Sequence, residues 1–506
     1  MSKTENLSQR SISAVLWGAS GSAVQLILQF GIQVVLARLL GPEQYGLFAI
    51  AFVVITFSNF FSSIGIAYGL IQKRTVTDED VRFVNFWQLS SGLIVAITVF
   101  LLAETMAGFF QEPRVTPVIQ ALSVVCLIQA AAGPSLNLLN RDLDFKSIQL
   151  AGVVSYAFGY GLVGIPFALG GYGVNALVAA LITQTVFNLA MLYWYKRHVL
   201  GFVIWHRDAH ELVWYGLTVF ATNINNWLLM NLSRVVVARA FPSAAMGHYS
   251  ISYNLMLQMT GALMGNLQPA LFSASSRVQD DVARLRTAFL TMLAAIALLL
   301  TPIFIGIAAA PETIMLALFG QAWHESSLLL RPFALAMPLY LAIGMATPML
   351  WTAGRTTQEF RFQLPITFAL AVAAYVAAQY SLAAVAWAVQ GIFVLRLVVI
   401  MSATCVALDL RVRHIATACR AGVAATLLVA SAIALVDGMA VQMTEKRLVV
   451  LAVDVGTGVI AQVIALRLFR PWFSSEVRTL FEKLLVRLPR RLALFGESIL
   501  VDRKRV

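Results

Sequence analysis

Runs of about twenty apolar residues, each long enough to cross a bilayer core of about 30 Å as a helix, follow one another along the chain. Short polar connections divide them. The pattern predicts fourteen spans, at roughly 12–36, 45–70, 84–107, 115–139, 147–169, 172–195, 212–237, 246–272, 285–309, 326–352, 362–381, 383–407, 415–436 and 447–468. Backbone amides in lipid must be satisfied within each segment, so the spans are read as helices and the fold as an all-α polytopic membrane protein. The predicted outer connections are short, the longest covering about residues 310 to 325. That leaves little room outside the membrane for a catalytic domain.

Composition sharpens this picture. Of the 506 residues, 59% are hydrophobic and only 12% charged, with a mean hydropathy of +0.80. Soluble domains carry about twice that charge. The net charge of +12 reads as topology rather than nucleic-acid binding, because the cations alternate between connections. With the N-terminus inside, inner connections hold Lys73, Arg74, Arg82, Arg141, Lys146, Lys196, Arg197, Arg207, Arg277, Arg284, Arg286, Arg355, Arg361, Arg411 and Arg413. Outer ones hold Arg38, Arg114, Arg239, Lys446 and Arg447. This asymmetry predicts that both termini are cytoplasmic. Beyond Arg470, apolar residues from Trp472 to Leu488 recur at helical spacing among Arg and Lys, which predicts a basic amphipathic helix on the inner leaflet. The three cysteines show no metal or redox spacing, no nucleotide or metalloprotease motif occurs, and no cofactor is implied.

One stretch occurs twice. Residues 31–50 and 232–251 overlay at an offset of 201 without a gap, so that Val34-Val35 meets Val235-Val236 and Ala37-Arg38 meets Ala238-Arg239. Gly46 meets Gly247, Phe48 meets Tyr249 and Ile50 meets Ile251. A duplicated hairpin in an apolar chain predicts two lobes related by internal repeat.

Polar residues inside the spans are the candidates for chemistry. Gln25, Gln29 and Gln33 stand four residues apart on one helix face, and their repeat counterparts are Asn226, Met230 and Arg234. Asn223 and Asn231 widen the second stripe. Amides of this kind either hold helices together or line a hydrated cavity, and the stripes on equivalent helices favour the cavity. A cation at mid-bilayer costs at least about 2.5–3.5 kcal/mol unless hydrated or paired. Arg396 lies deepest, flanked by apolar residues on both sides, and with Arg234, supported by Arg331, it is a candidate for binding an anionic group. Snorkelling to the outer interface competes for Arg234 and Arg331. Arg38 and Arg239 cap the repeat hairpins and read as structural. Asp454, about two turns inside its span, is the candidate for ion coupling, with pairing to a nearby arginine or backbone group as the alternative. Pro166, Pro269, Pro302, Pro338, Pro348 and Pro365 mark expected kinks.

The hairpin between the first two spans, with Arg38, Leu39, Leu40, Gly41, Pro42, Tyr45 and Gly46, resembles the Arg-Leu-Leu-Gly-Pro-x-x-Tyr/Phe-Gly signature of Wzx-like polysaccharide transporters. These form a branch of the multidrug/oligosaccharidyl-lipid/polysaccharide exporter superfamily. The run from Leu138 to Lys146 is similar to the group that exports exopolysaccharide repeat units. The second copy has Pro242-Ser-Ala-Ala where the full signature would continue, so it adds little. The resemblance implies two six-helix lobes, at 1–210 and 211–410, two further helices at 411–470 and a cytoplasmic tail at 471–506. It implies flipping of an undecaprenyl-pyrophosphate-linked oligosaccharide across the bacterial inner membrane, with membrane lipids, a polysaccharide polymerase and export machinery as partners. Two other functions compete. A cation-coupled drug exporter of the same superfamily would bury several carboxylates, whereas this chain buries more arginine than acid. A membrane polymerase or ligase would need a large outer loop.

Overall fold

The computed structural model describes residues 3–63, 65–73, 75–205, 209–276, 281–474 and 477–479. The predicted amphipathic tail lies, from residue 480 on, outside them. Helices cover all fourteen expected stretches, and no strand occurs among the described residues.

The run Lys3–Ser63 breaks at Gly41, whose φ of 72° and ψ of 174° leave the helical region. A side chain is strained at such an angle, and Pro42 is preset for the first turn of the next helix. The break separates α1 (residues 3–40) from α2 (residues 42–63). There follow α3 (Asp78–Phe109), α4 (Thr116–Arg141), α5 (Phe145–Leu169), α6 (Val174–Tyr195), α7 (Ala209–Ala240) and α8 (Ser243–Ser276). Then come α9 (Val282–Ala309), α10 (His324–Thr352), α11 (Thr356–Ala378), α12 (Leu382–Ala407), α13 (Val412–Met443) and α14 (Arg447–Leu468). Eleven runs among the described residues are long and apolar enough to cross a membrane, with Val24–Ser62 counted as one.

Side-chain caps fix several starts. Thr77 and Asp80 form a reciprocal capping box at α3, Asp144 caps α5 and Asp281 caps α9. Two expected proline kinks have a specific form. Pro166 and Pro302 each follow a widened, π-type stretch, at Ala157–Gly164 and Ile296–Leu300. A proline has no N–H to give to the carbonyl four residues back, and its ring pushes that carbonyl aside. In α9 the carbonyl released is Leu298, which accepts instead from the Gln462 side-chain amide on α14 at 2.7 Å.

The chain divides into two compact units, one of Met1–Ile251 with Leu370–Leu382, the other of Ser252–Ala369 with Ala383–Val506. In the first, α3 packs on α4, α4 on α6, and α1–α2 on α4 and α5. In the second, α13 packs on α14 and on α9, which in turn meets α10. Many large apolar side chains face outward, among them Ile94, Leu101, Leu162, Leu427 and Ile460. In lipid that surface needs no cover.

Candidate functional site

The first unit encloses a cavity of about 480 Å³ whose walls come from α2, α3, α4, α6 and α7. Its polar lining is made of amides and hydroxyls: Asn59, Gln88, Gln129, Asn137, Gln184, Asn188 and Asn223, with Thr56, Ser62 and Thr185. Phe60, Tyr68 and Phe220 supply aromatic faces, and no charged side chain lines it among the described residues. Some of the polar groups satisfy one another. Asn59 Nδ2 donates to Gln129 Oε1 at 2.7 Å, and Asn137 Nδ2 to the Gly133 carbonyl at 2.9 Å. Others are left open: Gln88, buried on α3, has an Oε1 without a donor, as does the Oδ1 of Asn59. A buried carbonyl oxygen without a donor costs about 1–3 kcal/mol, so it marks a place where water or a ligand hydroxyl belongs. Gly133 lets Gln88 lie close against α4, since a Cβ there would meet the Gln88 amide. Trp227 Nε1 donates to Thr56 Oγ1 at 3.3 Å and the indole packs against Phe57 at 4.9 Å, which fixes this wall.

The sequence stripes fall beside this cavity rather than in it. Gln33 is buried and donates from Nε2 to the Tyr45 hydroxyl at 3.3 Å, while Gln25 lies over Gly152 of α5 and Gln29 is half-buried. Arg234, 8% exposed, sits close enough to Tyr45 for its charge to act on the phenol. The structure therefore brings Gln33, Tyr45 and Arg234 together. Asn226 is exposed on α7, and its neighbour Asn223 is the one that reaches the cavity. Some of the amides missed in the sequence also share a helix face, with Gln184 and Asn188 four residues apart and Gln129 and Asn137 eight apart. The signal that found Gln25, Gln29 and Gln33 would have found them.

The two repeat hairpins interlock. A Cβ on Gly46 would overlap the Ser243 carbonyl, and one on Gly247 would overlap the Pro42 carbonyl. Pro42 and Ser243 are themselves counterparts in the overlay, so the contact is reciprocal, as across a local two-fold axis. Glycine is required because backbone touches backbone. A polar strap surrounds the contact: Arg114 donates to Glu112 at 2.7 and 2.8 Å, to Glu43 at 2.5 Å and to Ser243 Oγ at 3.3 Å. The hydrogen bonds from Arg114 hold the Glu112 carboxyl below its ordinary pKa. Arg239 lies 5.4 Å over the Phe109 ring, and the Gln111 amide, turned with its oxygen inward, accepts from its Nη1 at 2.6 Å. Gln44 Oε1 accepts from the Val174 N–H that opens α6, at 3.0 Å. Arg38 is exposed.

In the second unit Arg396 is 8% exposed on α12, and its Nε and Nη1 find no acceptor. Tyr340, Tyr253 and Glu359 are near enough to act on its charge. Glu359, buried on the first turn of α11, is an acid that the sequence reading did not weigh. It accepts from Trp351 Nε1 and, at 3.1 Å, from Gln363 Nε2. Arg331 is exposed and its Nε donates to the Ala308 carbonyl at 3.1 Å, closing the end of α9. Asp454 is 4% exposed on α14 beside Asp437 of α13.

The fold and the cavity define a multi-pass, all-helical membrane protein with a polar, uncharged cavity walled by several helices. Comparison with known proteins agrees. The chain belongs to the polysaccharide biosynthesis protein family, whose sequence model matches residues 35–328, and so to the polysaccharide-transporter branch resembled by its first hairpin. It is similar to the lipopolysaccharide biosynthesis protein WzxC of Escherichia coli (strain K12), 23% identical over 364 residues, which are 72% of this chain and 74% of that one. It is similar also to the succinoglycan biosynthesis transport protein ExoT of Rhizobium meliloti (strain 1021), 23% identical over 347 residues, 67% of this chain and 70% of that one. Among solved structures, the lipid II flippase MurJ in an inward closed conformation shares the fold at a TM-score of 0.70, with 11% identity and coverage of 92% and 98%. An inward-facing multidrug resistance transporter of the MATE family shares it at 0.59, with 16% identity and coverage of 78% and 98%.

Proposed function

We propose that this protein flips an undecaprenyl-pyrophosphate-linked oligosaccharide repeat unit from the cytoplasmic to the periplasmic leaflet of the bacterial inner membrane. The repeat units would serve exopolysaccharide, O-antigen or capsule assembly. The observation that carries the reading is the cavity of amides, hydroxyls and aromatic rings without a charged side chain. Sugars present hydroxyls that give and accept hydrogen bonds and C–H faces that stack on aromatic rings. A cationic drug would find no carboxylate there. Gln88 and Asn59 offer open acceptors to sugar hydroxyls, with Gln25, Gln29, Gln33 and Asn226 extending the amide surface. Arg234 in the first unit, and Arg396 in the second with Arg331 in support, are the cations suited to the pyrophosphate, because guanidinium N–H pairs match phosphate oxygens. The lipid tail needs only apolar surface.

The working topology is fourteen spans with both termini cytoplasmic. Residues 1–210 and 211–410 form two six-helix lobes that alternate access, followed by two helices and a basic tail. A polymerase and export machinery take up the product. Deletion of the gene tests the reading: lipid-linked repeat units should accumulate on the cytoplasmic leaflet. Accumulation on the periplasmic leaflet would move the defect to a later step.

A further inference from the structure

The last two helices carry a carboxyl pair that sugar and phosphate recognition does not use. Asp454 of α14 lies within hydrogen-bonding reach of Asp437 on α13, yet neither of its carboxyl oxygens meets a donor. Asp454 is 4% exposed and lines an apolar cavity of about 390 Å³ between α9, α13 and α14. Leu299, Ile303, Val429 and Ile433 are typical of the walls, and Gln462 supplies the other polar side chain of the lining. The amide nitrogen of Gln462 is taken by the Leu298 carbonyl, and its oxygen has no partner.

Two facing carboxylates, Asp454 buried against apolar walls and Asp437 half-buried, do not readily both stay ionised, because each repels the other and Asp454 is cut off from water. One proton between them turns the repulsion into an O–H···O bond. The Thr313 hydroxyl donates to Asp437 Oδ1 at 2.5 Å, so Asp437 already accepts one hydrogen bond from the short helix beside it. The neighbouring elements bring no cation to replace it. Residues 296–309 of α9 carry no charge. On the short helix Pro311–Phe319, Glu312 pairs with Arg447, the first residue of α14, at 3.4 Å. Arg331 of α10 is engaged by the Ala308 carbonyl.

We propose that Asp454, with Asp437 as its hydrogen-bond acceptor, is an exchangeable proton-binding site. The proton comes from water to the Asp454 carboxylate, whose O–H then donates to Asp437, and it returns to water when the pair is wetted. Its use in driving flipping rests on the transport reading above; its occupancy does not.

Dicyclohexylcarbodiimide tests occupancy, since it forms an N-acylurea with protonated carboxyls in apolar sites. The purified full chain should take the label on the peptide holding Asp454 at neutral pH, progressively less as pH rises. The yield should be unchanged by excess NaCl, and Asp454→Asn should abolish it. Absence of label on this peptide from mildly acidic to alkaline pH would overturn the proposal. So would protection by sodium, which would make the pair a sodium site, or label on Asp437 that survives Asp454→Asn. No substrate is present in the assay, so its failure removes this site and leaves the transport reading standing.

Discussion

The interlocked hairpins yield a test that depends on geometry alone. In Gly46→Ala the new methyl would stand 2.5 Å from the carbonyl carbon of Ser243 and 3.0 Å from the Gly247 nitrogen. In Gly247→Ala it would stand 2.8 Å from the carbonyl carbon of Pro42 and 3.1 Å from its Cα. Ordinary van der Waals contact begins at about 3.4 Å or more, and the carbonyl oxygens of Ser243 and Pro42 stand nearer still, so each substitution forces backbone apart by more than an ångström. Overpacking of this kind costs about 1–3 kcal/mol. At about 2 kcal/mol the packed arrangement loses about thirtyfold in population against any arrangement with the hairpins apart. The two clashes open the same contact, so Gly46→Ala with Gly247→Ala should cost clearly less than the sum of the single effects. Gly41→Ala is the control. No atom lies within 4 Å of its Cβ position, and its cost comes from the φ of 72° with ψ of 174°, about 1–3 kcal/mol. Thermal unfolding of the purified protein measures all the terms, and cross-linking between Glu43→Cys and Ser243→Cys reads hairpin separation directly. Single variants that melt and cross-link like the parent would show that the hairpins do not interlock as described. Full additivity of Gly46→Ala and Gly247→Ala would show that they do not share one contact.

The remaining predictions concern charge and the cavity. Arg396→Lys should cut polysaccharide export well below the parent at normal membrane abundance, because an ammonium cannot offer paired N–H donors; normal export by Arg396→Ala at normal abundance would make the residue structural. Gln88→Leu removes the open acceptor but keeps the bulk, so folding should hold or improve by up to about 1 kcal/mol while export falls; unchanged export would take the sugar out of this cavity. Arg114 depresses the pKa of Glu112 below 4.5, so the strap contributes stability at and above that ordinary value and loses it as pH falls through the lower, folded value. The melting difference between parent and Glu112→Gln should therefore be flat from neutral pH down to about 4.5 and shrink only below it; a difference that shrinks between neutral pH and pH 5 would contradict the Arg114 pairing.

The fold was readable because bilayer-length apolar runs leave helix as the only satisfied backbone, and Gly41-Pro42 announced the break between α1 and α2. The repeat was readable too, although the overlay could not say that its copies touch. That followed only when Gly46 met Ser243 and Gly247 met Pro42. The site was less legible for a physical reason. Four-residue spacing shows that amides share a helix face but not what the face meets: Gln33 turned to Tyr45, while Gln88, with no amide four residues away on α3, turned to an open cavity. Arg331 shows the same limit, since its depth did not reveal that its Nε donates to the Ala308 carbonyl at the end of α9. Asp454 could be placed in depth, but its partner Asp437 lies on another helix. Glu359 was passed over because it falls in an inner connection and becomes buried only through Trp351 and Gln363.

Flipping by the purified protein tests the central claim most directly. Proteoliposomes are loaded with undecaprenyl-pyrophosphate bearing a short oligosaccharide with a fluorophore that a membrane-impermeant reductant quenches from outside. Active protein should let the reductant quench well beyond the outer-leaflet half, while Gln88→Leu and Arg396→Lys vesicles stay nearer that half. Quenching that stops at the outer leaflet, as in protein-free vesicles, while a sugar-free cationic dye crosses, would contradict the account and make the chain a drug exporter.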